Sequence, residues 1–156
     1  MEAIEEPLTK NGTTAQVKVS VATILERESE SIIKEWIERV NGDPNLSAIF
    51  LDDKARSCHL PQLFKELVHR LRNPLPLGGR GERSKSAHEH GLTRRKQGYS
   101  TAMLVEESRM LQVSIFDTIR KNNDHVDFNV LLSDVMVIAD EVDLQLAEAM
   151  SSYSGE

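Results

Sequence analysis

The chain has 156 residues, 39% apolar and 28% charged, with a net charge of −6. That length suits one domain able to bury roughly two thirds of its unfolded surface, and the acidic balance speaks against general affinity for nucleic acid. A single cysteine, Cys58, excludes an internal disulfide, and the lack of a long apolar run or a basic-then-apolar leader predicts a cytoplasmic protein without a membrane span or signal peptide.

Aromatic content of only 4% beside many Leu, Ile, Val, Glu and Arg favours helices. Residues 1–18 are polar and read as a mobile leader. From Ser20 a helical period begins, with Leu25, Ile32, Ile33, Trp36, Ile37 and Val40 on one stripe and Trp36 as its core anchor. Asn41-Gly42-Asp43-Pro44 stops this helix, Gly42 being available for a left-handed cap. A short helical piece is expected within Asn45 to Leu51, and another, capped by Asp52 or Asp53, toward Cys58, itself expected to be buried or half-buried. Pro61 suits the first position of a helix carrying Leu63, Phe64, Leu67, Val68 and Leu71. That helix ends before Pro74, with His69, Arg70 and Arg72 placed to meet its C-terminal dipole. Residues 73–83, rich in Pro and Gly, read as an interhelical loop, and a phosphate loop is excluded because its Gly-Lys-Ser/Thr ending is missing.

Ser84 to Gln97 reads as a polar helix that Gly98 ends, and Ser100 as the N-cap of a helix reaching Lys121 or Asn122. Its inward stripe is Leu104, Ser108, Leu111, Ile115 and Ile119. A second apolar set, Val105, Met110, Val113 and Phe116, predicts burial on two sides. The last helix, Asp127 to Met150, carries Phe128, Leu131, Val135, Ile138, Val142, Gln145 or Leu146, and Ala149 close to a heptad seam. It is either a two-sided bundle helix or one that also pairs with its copy in a dimer. Residues 151–156 read as a flexible tail. The expected architecture is an all-α, single-domain bundle of about five to seven helices over residues 19–150, with a globin-like arrangement as one form of it.

Chemistry concentrates where the polar helix meets the next. His90, Arg94 and Gln97 are spaced by four and three, which puts them on one helical face. Glu107 lies beside the inward stripe of the following helix. Antiparallel packing of these two helices would let Glu107 pair with Arg94, with His90 and Gln97 nearby. Two readings stay open: a structural polar network fastening the helices, and a small cavity recognising an anion or other small ligand. His88 and His90 point to nearly opposite sides of a helix, and position 92 is Leu92 where a zinc-protease motif needs histidine, so no metal is expected there. Cys58-His59 lacks a second cluster. A haem on one of His69, His88, His90 or His125 is the other cofactor option, but His90 shares a polar face with Arg94 and Gln97. No cofactor is therefore expected. Arg80 to Lys96 holds six of the Lys and Arg residues and reads as a solvated basic face; an acidic partner surface, such as Asp140-Glu141-Asp143 of a second subunit, suits it better than nucleic acid. No nucleophile arrangement occurs, so the domain itself is read as non-catalytic.

His90-Gly91-x-x-Arg94, Gln97-Gly98-Tyr99-Ser100, Leu104-Val105-x-Glu107 and Leu111 together resemble the N-terminal domain of stressosome co-antagonists of the RsbRD type. That domain is also found in front of bacterial histidine kinases and some transcription regulators. His59-Leu60-Pro61-x-Leu63 and the helical order over residues 20–150 are similar too. Ser108 stands where the family often has an aromatic residue, and Gln112 where an arginine is common. The resemblance implies a helical signal-input domain that transmits through its C-terminal helix to an output domain such as a kinase core. His90, Arg94, Gln97, Gly98 and Glu107 match its signature positions. A homodimer and a downstream signalling partner are the expected associations; the alternative is a ligand- or haem-binding globin-like domain.

Overall fold

A computed structural model describes residues 18–79 and 82–155. Seven α-helices and one 3-10 turn make up its regular structure: α1 (Val21–Asn41), α2 (Pro44–Ser47), α3 (Asp53–Ser57), α4 (Leu60–Arg72), α5 (Lys85–Lys96), α6 (Thr101–Lys121), the 3-10 turn Asn123–His125, and α7 (Phe128–Ser154). The protein is an all-α bundle, with no strand among the described residues. No helix among them is long and apolar enough to cross a membrane. The expected leader lies, but for Lys18, outside the described residues.

Short polar side chains set where the helices begin. Ser20, Asp43, Asp52, Ser84, Ser100 and Asp127 each accept a backbone N–H of the first turn of the helix they precede. Each such cap contributes about 1 kcal/mol. Helix α4 begins differently: Cys58 and His59 both keep right-handed helical angles, so α3 runs almost directly into α4, and His59 makes no capping bond. Gly98 has φ +87°, a left-handed conformation that suits glycine at the exit of α5. Gly42, expected to play that part after α1, has φ −80° instead. There α2 follows at once, with Asp43 as its N-cap and Pro44 at its start.

The core lies where α1 crosses α4 and α6, with α7 closing the other side. Leu25, Ile32, Trp36 and Val40 of α1 meet Leu63, Phe64 and Leu67 of α4 and Leu104, Leu111 and Ile115 of α6, all buried. Helix α7 buries Ile138, Val142, Gln145, Ala149 and Ser152, so its inward stripe continues past Met150. The expected tail is therefore helical through Ser154, because Ser152 packs against α5 and Tyr153 reaches Tyr99. The first turns of α7 behave otherwise. Phe128, Leu132 and Met136 are 65%, 71% and 48% exposed.

Two further expectations, on α6 and on Cys58, are corrected. Arg70 stands in the last turn of α4 as expected; it is also buried and donates to Asp140 and Glu141 of α7, at 2.7 Å each. Those two acids are thus engaged within the chain, and Asp143 accepts from Gln112. Val105 and Val113, expected to be covered on a second face of α6, are exposed, while Met110 and Phe116 are partly buried. Cys58 is exposed.

Candidate functional site

Helix α5 is polar along most of its length, and its buried positions are Ala87, Gly91 and Arg94. Steps of four and three place them on one line, where small residues let another helix come close. Helix α7 does so. A Cβ added at Gly91 would overlap the Ala149 carbonyl and the Ser152 hydroxyl, and Ser152 Oγ donates to the His88 carbonyl oxygen at 2.8 Å. The backbone of α5 thus packs chiefly on α7 rather than antiparallel on α6. It reaches α6 with long side chains.

Those side chains converge on Glu107. Arg94 Nε donates to Glu107 Oε1 at 3.0 Å, and His90 Nε2 lies 3.0 Å from the same oxygen. The remaining Arg94 nitrogens donate to Gln97 Oε1 at 2.7 Å and to the Arg56 carbonyl at 2.5 Å. All four residues expected to form the junction are therefore brought together. Burial alone would raise the Glu107 pKa; the hydrogen bond with His90 and the charge of Arg94 outweigh it, and the carboxyl is held below its usual range. A carboxylate only accepts hydrogen bonds, so His90 Nε2 carries the proton it shares with Glu107.

Residues outside that set complete the site. The His59 ring lies flat on the His90 ring, with centroids 3.6 Å apart and planes 14° from parallel. Trp36 meets His59 edge-on at 5.9 Å and donates its Nε1–H to the Glu107 carbonyl at 2.9 Å. Arg94 also sits over the Tyr99 ring, 4.6 Å from its centroid. The Tyr99 hydroxyl accepts from Arg56 Nη1 at 2.6 Å, and Arg56 Nη2 donates to the Ile49 carbonyl at 2.6 Å. Burial, with the nearby Glu107 charge, pushes the Tyr99 phenol up to about 12. Burial, then the neighbouring His90 and Arg94, holds His59 well below the usual imidazole range, so it is neutral.

His59 and Tyr99 stand inside motifs visible in the sequence but carried no sign of a site role. Arg56, in a charged run with Lys54, resembles any solvated arginine. Proximity in space is what recruits all three.

Beside this junction lies a cavity of about 40 Å³, lined on its polar side by His59, His90, Glu107, Ser86, Ser108 and Gln145. Val142, Leu146 and Ala149 of α7 also line it, beside Gln145 of the same helix. Such a volume has room for a few waters. Two atoms of its lining residues, His59 Nδ1 and Glu107 Oε2, are buried without hydrogen-bond partners among the described residues. His59, His90 and Glu107 each offer a ligand-type atom, all within 4.8 Å of one another.

No family model matches this chain, and no curated protein or solved structure matches it either. The site itself carries the functional reading.

Proposed function

We propose that this protein is a signal-input domain without catalytic chemistry of its own, in which the state of the Glu107 junction is passed to α7 and from there to an output partner. One observation carries this: the polar junction and the inner face of α7 are two walls of the same cavity. Anything that enters, leaves or changes charge there acts directly on the helix nearest the C-terminus. The resemblance of His90, Arg94, Gln97, Gly98 and Glu107 to the stressosome co-antagonist signature supports the same reading. So does the exposed apolar stripe Phe128, Leu132 and Met136, four residues apart on α7, which suits a homodimer in a cytoplasmic signalling protein.

A haem-binding, globin-like role is less well supported. The cavity beside His90, at about 40 Å³, is far below the roughly 300 Å³ at which small-molecule pockets begin.

Ser108→Val tests the proposal, because it removes a hydroxyl from the cavity lining and adds a methyl group there from α6 while leaving every residue of α7 unchanged. Hydrogen exchange by mass spectrometry should then change along α7, including residues 128–136, which do not line the cavity. A change confined to the cavity walls would show that the junction is a local fastening and sink the sensor reading.

A further inference from the structure

We infer that His59, His90 and Glu107 form a binding site for one divalent first-row transition-metal ion, with its open coordination side facing the cavity. The assignment deepens the sensor reading by naming the class of ligand, and it rests on the same junction.

Three observations on the structure support it. The donor set is two imidazoles and one carboxylate, a combination suited to Zn2+, Fe2+ or Co2+ rather than to Ca2+ or Mg2+, which prefer oxygen ligands alone. The three ligand-type atoms lie within 4.8 Å of one another. In a tetrahedral site with bonds of about 2.1 Å such atoms stand about 3.4 Å apart, so closure draws them together by up to roughly 1.4 Å and also rotates the two stacked imidazole rings. Finally, His59 Nδ1 and Glu107 Oε2 are buried and have no hydrogen-bond partner among the described residues. Buried polar atoms in native proteins are nearly always satisfied, and two orphans in one cluster of ligating residues point to a group that would satisfy both.

The surroundings have the form that metal ligands need. Trp36 braces the His59 ring from its edge, while Arg94 holds Glu107 by Oε1 and leaves Oε2 available. Outer contacts of this kind orient ligands and commonly tune affinity. Binding exchanges two existing contacts, the His59–His90 stack and the His90–Glu107 hydrogen bond, for bonds to the ion. The flat stack of His59 on His90 must open so that both rings turn an edge to the ion, and His59 Nδ1 has no hydrogen bond among the described residues to give up. His90 releases to solvent the Nε2 proton it shares with Glu107. The cavity, with Ser108 and Gln145 on its walls, has room for a water as the remaining ligand.

The full chain, stripped with a chelator, should be titrated with Co2+ and then Zn2+. Trp36 is the single tryptophan and lies against His59, so its fluorescence reports an ion at this site. One equivalent of Co2+ should quench it saturably, and Zn2+ should displace the Co2+ and restore the signal. His59→Ala should weaken binding by about 100-fold or more, with circular dichroism confirming its helices, whereas His88→Ala, on the outer side of α5, should bind as the wild type does. Absence of saturable, one-equivalent uptake by the wild type overturns the assignment, as does a folded His59→Ala or, should that variant not fold, His59→Gln, that binds as tightly. The two readings fail separately. Metal uptake with no spread of exchange changes along α7 retains the site and rejects the sensor; spread in Ser108→Val without metal uptake does the reverse.

Discussion

Arg94 and Glu107 form an ion pair with 1% and 3% of their side chains exposed, Nε to Oε1 at 3.0 Å. Neither is adjacent to the other in the backbone packing, since α5 rests on α7. Each charge therefore depends on the other for compensation inside the protein. Glu107→Ala leaves Arg94 buried with only neutral partners, a change that typically costs about 3–5 kcal/mol. Glu107→Gln, which keeps an acceptor for Arg94, should cost less. Urea unfolding of both variants checks the order; equal small losses for the two would mean that the pair is solvated.

Gly91 is the point of closest approach between α5 and α7. Gly91→Ala would ordinarily stabilise a helix by up to about 1 kcal/mol. Here the new methyl meets the Ala149 carbonyl, which is backbone and cannot rotate away. Overpacking of this kind costs about 3 kcal/mol at the upper end of its usual range, so the net effect should be a fall in Tm. A thermal melt at or above the wild-type temperature would show that α5 and α7 are farther apart in solution.

Tyr99 supplies a pH signature. Its phenol is raised from 10.0 to about 12 in the folded protein. Below the lower value both folded and unfolded states hold the proton. Between the two the unfolded state releases it first and binds fewer protons, so stability falls as pH rises through this window. The difference between the tyrosinate absorbance titrations of wild type and Tyr99→Phe isolates Tyr99. Its midpoint should lie near 12, and a midpoint at the ordinary phenol value would contradict the burial of this ring.

The apolar stripe at the start of α7 predicts association. Leu132, the most exposed of the three at 71%, should tolerate replacement by glutamate in a monomer. In a dimer that buries it, Leu132→Glu places a charge in the interface and dissociates the pair. Light scattering of the wild type should give twice the chain mass, and of the variant the chain mass alone. A wild type that is monomeric at high concentration would remove the dimer from the proposed mechanism.

Much of the local structure was legible because it is written at short range. Ser84, Ser100 and Asp127 announce helix starts, since each competes for the backbone donors of its own first turn. The steps of four and three from His90 to Arg94 to Gln97 announced a shared face, and the position of Glu107 beside an inward stripe suggested its partner. The helical period in the sequence stops at Met150, short of the true end of α7 at Ser154, because Ser151, Ser152 and Tyr153 carry no strong apolar period. Ser152 is buried by contact with α5, which no local pattern displays.

The sequence by itself determined the helical class, most helix starts and the identity of the polar set that includes His90, Arg94, Gln97 and Glu107. Only the tertiary structure decided that α5 lies against α7, that His59 stacks on His90 from the position just before α4, and that Arg56 and Tyr99 gather around Arg94. The physical reason is one of range. Caps and helical periods are fixed by residues three or four apart, whereas the His59–His90 stack depends on how whole helices pack. Gly91 joins the two scales: a residue without a side chain, visible in the sequence as part of a motif, is what lets α7 approach closely enough to wall the cavity.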